Sequence, residues 1–366
     1  MTAPETMRAV VLTAHGGLDK LEYHEDWPTP APDRGEVLVR VGACGLNNTD
    51  INTRTAWYSK SVIEGINAGG KAGFASAEAD NGSWSSSSIQ FPRIQGADVA
   101  GHITAVGSGV DQSRIGERVL LDPWLLATGD FLDPSRSMYF GSECDGGYAE
   151  YTRIRSENAV CIETALSDAE LATFPCAITT AENLVGRTGL QPGENVVIAG
   201  ASGGVGSAAI QLCRLRGARV IAIAAAAKHA LLAELGAHQV VDRNSEHLEQ
   251  AILDAADGQV DVALDVVGGN SFMPLINALR QGGRYSTSGA IAGPLVEFDL
   301  RQLVYKDLQL TGATIVPPGT MQRLVRLIEQ GLLRPLLAQT FPLRELGKAQ
   351  EMFLQKKHVG NIVVKT

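Results

Sequence analysis

Apolar and polar positions fall into two textures along this chain. From residue 8 to about 151, short apolar runs such as Val37-Leu38-Val39-Arg40-Val41 and Arg118-Val119-Leu120-Leu121 stand between Gly, Pro and Asp turns, which predicts a β-rich region. Beyond it, residues 168–188 have helical spacing, and Asn195-Val196-Val197-Ile198-Ala199 is an apolar run too continuous for a half-exposed strand. Such a run suits a parallel strand covered on both faces. A glycine turn, a helix over 207–216 and a strand over 219–224 follow. The alternation continues with helix 228–235, strand 239–241, helix 246–255, strand 260–267, helix 270–279 and strand 283–288. Strand and helix in this rhythm predict an α/β fold with a doubly wound parallel sheet. From about residue 309 the chain carries one helix, 321–329, and a strand-like end, 360–364, able to return to the first region.

Residues 59–91 break the β texture with Gly65-Ile66-Asn67-Ala68-Gly69-Gly70 and a serine run, Ser83 and Ser85 to Ser88. A stretch of that length reads as a surface insertion or as a lid over a site.

Composition narrows the class. With 366 residues, 45% apolar and 19% charged, the chain is long enough for two ordinary globular domains. A net charge of −9 leaves no basic footprint for nucleic acid. Residues 1–12 lack a secretory h-region and no window nears the roughly 20 apolar residues of a membrane span, so a soluble, cytoplasmic protein is expected. Five cysteines (Cys44, Cys144, Cys161, Cys176, Cys213) include no C-x-x-C pair, so no disulfide framework is expected.

The clearest chemistry is Gly200-Ala201-Ser202-Gly203-Gly204-Val205-Gly206, set between a strand and a helix. This is the dinucleotide fingerprint with Ala201 in place of its first glycine. Gly203 admits a pyrophosphate to the backbone, Gly206 lets helix pack on strand, and the helix N–H groups hold the negative charge. An NAD site usually carries Asp or Glu at the end of the second strand. Here that place is Ala224-Ala225-Ala226-Ala227, followed by Lys228, with Arg243 ending the third strand. Cations without an acid favour the 2′-phosphate of NADP, so NADPH is expected ahead of NADH. Val267, Gly289 and Ala290 follow later strands at their carboxyl ends, where a doubly wound sheet binds its ligand.

Four stretches, 42–50, 96–107, 146–151 and 201–206, together with Gly360-Asn361-Ile362-Val363-Val364, resemble the medium-chain dehydrogenase/reductase superfamily of alcohol dehydrogenases and quinone oxidoreductases. The resemblance covers nearly the whole chain except 59–91. It implies a GroES-like β-rich catalytic domain over 1–158 and 309–366, with 59–91 inserted, and a Rossmann domain over 159–308. It also implies that Thr180 lies beside the nicotinamide and that Asn361 holds a place often basic in NADP-using relatives. A homodimer is implied as well, through a Rossmann edge strand near 285–287.

The zinc-binding branch of that superfamily takes metal ligands where this chain has Asn47 and Ala97, and only Cys176 matches. Zinc needs about three protein ligands and an open position, so no catalytic zinc is expected. The family's structural zinc needs four close cysteines, and residues 92–151 hold only Cys144. A displaced site on Cys44, Asp98, His102 and Cys176 would be the route to a zinc-dependent alcohol dehydrogenase; a dinucleotide-binding protein without turnover is a third reading. The branch most similar is the zinc-independent quinone and enone reductases. That resemblance implies hydride transfer to a small-molecule quinone or α,β-unsaturated carbonyl. Asn47 would contact the carbonyl oxygen or the nicotinamide ribose, and Tyr58 would be oxygen donor or proton source. Asp50 stands as a turn anchor or a proton-transfer group, and Asn52 replaces a second family tyrosine.

Overall fold

The computed structural model describes residues 3–77, 88–126, 133 and 137–366. They divide into two compact units. One comprises Met1–Val62, Ile66–Cys176 and Pro317–Thr366; the other comprises Ile63–Gly65 and Ala177–Val316.

The first unit is built on strand β1 (Glu36–Gly45), which pairs antiparallel with β2 (Asp98–Val106). β2 in turn pairs with β3 (Arg118–Leu121), while β4 (Tyr151–Arg155) lies along the start of β1 and β5 (Ala159–Cys161) closes on β3. Seven of the ten β1 side chains are buried, as a central strand covered on both sides requires. At its end the chain turns into helix α1 (Asn48–Thr55). No apolar stripe marks that helix, so periodicity misses it. Its residues Asp50 through Thr55 are nonetheless buried, five of the six polar.

Arg54 shows how a polar helix is held. Its guanidinium has no solvent exposure and donates to Gln350 Oε1, the Gly16 carbonyl and the Gly70 carbonyl. These acceptors are uncharged, and burial pushes Arg54 down to about 10. One side chain thus ties α1 to the amino-terminal loop, to the 59–91 segment and to the carboxyl-terminal helix. Arg54→Met would strand those acceptors, and we expect a loss of about 3 kcal/mol in urea unfolding; an unchanged midpoint would remove Arg54 from the framework.

The first part of the 59–91 segment is therefore anchored. It forms the helical turn Ile66–Gly69 with Ile66 buried, and the Lys71 carbonyl accepts the Leu18 N–H. Ser83 and Ser85 to Ser87 lie outside the described residues.

The chain leaves the first unit within helix α2 (Pro175–Thr188). The continuous helix expected over 168–188 is two helices, the first being Asp168–Leu171, capped by Ser167. Pro175 is the reason: the residue before a proline is disfavoured in the helical region, and proline is at home in a first turn.

In the second unit, six parallel strands form one sheet: β6 (Asn195–Ala199), β7 (Arg219–Ala224), β8 (Gln239–Asp242), β9 (Val260–Asp265), β10 (Leu279–Thr287) and β11 (Gln309–Gly312). Their spatial order is β8-β7-β6-β9-β10-β11. The order reverses between β6 and β9, so the ligand crevice of a doubly wound sheet lies at the carboxyl ends of those two strands. β9 ends earlier than the apolar pattern suggests, because the Asp265 carboxylate accepts the N–H groups of Val267 and Gly268 and turns the chain. Two helices are also shorter than expected, Leu248–Ala255 before β9 and Phe272–Ala278 after it, the second ending early because Leu279 already opens β10.

The chain then returns to the first unit. β12 (Leu337–Pro342) pairs parallel with β13 (Asn361–Lys365), which lies antiparallel beside β1.

Strand pairing moves two boundaries from where the sequence puts them. Residues 159–176 stay with the first unit, where β5 pairs with β3. Residues 309–316 stay with the second, where β11 pairs with β10. The same pairing makes 285–287 interior to the sheet, so the edge strand is β11. Among the described residues, no helix is long and apolar enough to cross a membrane.

Candidate active site

The dinucleotide crevice takes shape around helix α3 (Gly204–Leu215), whose N-cap Gly203 offers no side chain. The leading N–H groups of α3 are therefore open to an acceptor. The two motif glycines have different reasons. A Cβ on Gly206 would come within 2.3 Å of the Gly200 carbonyl oxygen, so this position serves packing. Gly203 has φ −81°, which any residue adopts, and a Cβ there would meet nothing nearer than 3.6 Å. The fold itself does not need glycine at 203.

Ala201, Ser202, Gly204 and Val205 complete this turn, Ala201 donating its N–H to the Ile223 carbonyl at the end of β7. Lys228 Nζ donates to Ser202 Oγ at 3.2 Å. Partial burial, and then the positive charge of Arg243, hold the Lys228 ammonium below its ordinary value. Two cations that disfavour each other make a place for an anion. The Arg243 backbone N–H donates to the Ala224 carbonyl, and its exposed side chain lines an open groove of about 570 Å³ with Ser245, Asn270 and Ser271. On the far side, Ala292 donates to the Val267 carbonyl at 2.8 Å, and a Cβ on Gly289 would come within 3.2 Å of the Val266 carbonyl oxygen, so the turns that follow β9 and β10 lie against each other. Thr180 lies on α2, in this unit. Asn361 does not join the group within this unit: it is buried at the start of β13 in the first unit, its N–H on the Leu336 carbonyl.

In the first unit, α1 and its flanks bring the other candidates together. Asn47 caps the helix, and its backbone N–H donates to Asp50 Oδ2 at 2.7 Å. Asp50 is therefore the turn anchor. The Asn47 side chain reaches across to β2, where Nδ2 donates to Asp98 Oδ2 at 2.9 Å. The other oxygen of Asp98 accepts the Cys176 backbone N–H at 2.6 Å, at the first turn of α2. Tyr58, half-buried just beyond α1, donates to Thr49 Oγ1 at 3.2 Å and is hydrogen-bonded to Asn52. Burial raises the Tyr58 pKa, so the phenol keeps its proton at neutral pH.

These residues do not make a zinc site. Asn47 gives one amide N–H to Asp98 and brings neither thiolate nor imidazole, the Ala97 side chain has no donor atom, and both Asp98 oxygens already hold N–H groups. His102 sits along β2 opposite Arg40 and Arg118. Among the described residues, no group of three His, Cys, Asp or Glu side chains could hold a metal ion. The displaced constellation of Cys44, Asp98, His102 and Cys176 is not assembled.

Burial pushes Asp50 up to about 6 and Asp98 up to about 7. Both groups bind their protons more tightly folded than unfolded. Their contribution to stability is full below the unfolded value of about 4 and is lost as pH rises through the folded values. The urea midpoint should therefore be higher at about pH 5.5 than at about pH 8, by less in Asp98→Asn than in the parent. An equal difference in both proteins would contradict the assignment to Asp98.

Comparison with known proteins identifies the family of the two domains. Residues 33–164 match the alcohol dehydrogenase GroES-like domain, and residues 204–330 match the zinc-binding dehydrogenase family. A candidate alcohol dehydrogenase from Sinorhizobium meliloti 1021 is 45% identical and superposes with a TM-score of 0.90, over 99% of this chain and 97% of that one. The chain belongs to the medium-chain dehydrogenase/reductase superfamily. This dehydrogenase/reductase is also 26% identical to an acryloyl-coenzyme A reductase of Metallosphaera sedula, over 98% of its own length and 100% of the relative's. A quinone oxidoreductase of Rattus norvegicus is 25% identical over 96% and 94%.

Sequence reasoning weighed Asp98 only as a metal donor and passed over Arg54, Gln95 and Gln350. Gln95 donates to the Asp50 carbonyl at 2.9 Å beneath the site. The one signal in the chain was the N-x-x-D spacing of Asn47 and Asp50, which marks a helix start.

Proposed function

We propose that this dehydrogenase/reductase transfers hydride from NADPH to a quinone or an α,β-unsaturated carbonyl without a catalytic metal. The observation that supports the reading is the Asn47–Asp98 hydrogen bond, formed by the residue that stands where the resemblance puts a metal ligand. Similarity to an acryloyl-coenzyme A reductase and a quinone oxidoreductase supports the substrate class.

Bound NADPH supplies the hydride for the electron-poor carbon of the conjugated system. The chain's own groups manage the charge that then develops on oxygen. Asn47 keeps one N–H of its amide for that oxygen while the other holds Asp98, and the protonated Tyr58 is the second donor and the proton source. Ser202, Lys228 and Arg243 hold the 2′-phosphate, and the start of α3 holds the pyrophosphate. Thr180, Val267, Gly289 and Ala290, all in the second unit, would line the nicotinamide end.

The test is NADPH consumption across quinones, enones and enoyl thioesters, with zinc content measured on the same preparation. Turnover with well under one zinc per chain supports the reading; alcohol oxidation by protein holding one zinc per chain overturns it.

A homodimer forms through the second unit. Beside edge strand β11, Leu300, Val304 and Tyr305 are 67%, 63% and 73% exposed, an apolar face that a monomer seldom leaves uncovered. Val304→Glu should shift the mass in analytical ultracentrifugation from dimer to monomer, and an unchanged mass would clear this face of the role.

A further inference from the structure

Asp98 is buried completely on β2, yet nothing in the reaction just described requires a carboxylate there. Its surroundings explain what it does. Oδ1 accepts the Cys176 N–H and Oδ2 accepts Asn47 Nδ2. The first partner is backbone at the first turn of α2, a donor that cannot rotate away. With Oδ1 pinned, the second oxygen has a fixed place and meets the Asn47 amide from one side. An amide has two unlike ends, and rotation about its last bond exchanges them. A neighbour that accepts on both oxygens favours the NH₂ end, leaving Oδ1 of Asn47 and its second N–H on the opposite side.

We propose that Asp98 is a positioning residue, which orients the Asn47 carboxamide by accepting Nδ2 with an oxygen held in place through the Cys176 N–H. Asp98 touches neither substrate nor cofactor and acts only through Asn47. The proposal rests on the assignment of Asn47 to the reacting oxygen, and its test separates the two.

Asn at 98 has one acceptor for two donors. In Asp98→Asn either Cys176 or Asn47 loses its partner, or the Asn47 amide inverts. Two readouts follow. In ¹⁵N-labelled protein, the Asn47 side-chain amide, identified by its absence in Asn47→Ala, should show one proton shifted and protected from exchange. Asp98→Asn should abolish that signature; an unchanged signature overturns the proposal. This readout needs no turnover, so it judges Asp98 even if the protein reduces none of the enones and quinones offered.

The second readout is a double-mutant cycle on kcat. Asp98→Asn should lower kcat about 10-fold or more in the parent and less than about 2-fold in the Asn47→Ala background, because a misplaced group costs rate only when it is present. Equal losses in both backgrounds would make Asp98 a purely structural residue. Should Asp98→Asn fail to fold, Asp98→Ser, smaller and still able to accept one bond, is read in the same two ways.

Discussion

Replacing Gly203 with Asp is expected to abolish dinucleotide binding while leaving the protein at least as stable as before. The expectation comes from two facts about one position. Gly203 has ordinary extended backbone, and a Cβ there meets only the Gly200 carbonyl oxygen at an ordinary 3.6 Å, so the fold tolerates a side chain. It is also the N-cap of α3, where Asp is a better cap than glycine by a few tenths of a kcal/mol. A ligand sees the reverse. An aspartate at the helix start fills the volume of a pyrophosphate and repels its charge, while capping the N–H groups that would hold it. We expect the NADPH dissociation constant to rise by about 100-fold or more, a loss of about 3 kcal/mol. Titration of nicotinamide fluorescence and thermal unfolding on the same variant check both halves. Tight NADPH binding by Gly203→Asp would move the cofactor away from α3. Gly206→Ala is the contrasting change, since its clash with the Gly200 carbonyl should cost stability as well as binding.

The second large effect concerns which dinucleotide is used. Removing Lys228 and Arg243 together, as Lys228→Ala with Arg243→Ala, should raise the KM for NADPH about 100-fold and leave that for NADH within a few-fold. Each charge-assisted bond to a phosphate contributes about 1.5–3 kcal/mol, and only NADPH carries the phosphate that both cations would meet. The two side chains are close enough for Arg243 to depress the Lys228 ammonium, and Ser202 adds a hydroxyl to the same place. The end of β7 is alanine rather than an acid, so the double variant has nothing with which to gain NADH. Equal losses for both cofactors would mean that these cations serve the fold or a group common to NADH and NADPH.

How much of this was legible beforehand differs between the units. The second unit could be read almost strand by strand, because a doubly covered parallel strand is a continuous apolar run and a glycine turn separates it from a helix. β6 and β7 begin and end where that pattern does. Helix α1 could not be read, since its buried face is made of Asp, Asn, Thr and Arg. Such residues look like loop until their partners, Asp98, Gln95 and Gln350, arrive from distant parts of the chain. The edge of the parallel sheet was misplaced for a related reason. β11 is a short, largely exposed strand, and only its pairing with β10 shows to which unit it belongs.

The sequence by itself determined the superfamily, the alternation that makes a doubly wound sheet, the phosphate-binding turn at 200–206, and the absence of ligand side chains at 47 and 97. All of these are local, set by residue type and spacing within a few residues. Tertiary structure decided that Asp50 caps a helix, that Asp98 grips Asn47 and the Cys176 N–H, and that Arg54 is a buried hub. Each of those depends on a buried polar group, whose cost is recovered by partners from elsewhere in the chain, 51 and 78 residues away for Asp98 and 16 to 296 away for Arg54, while the Asp50 cap is local.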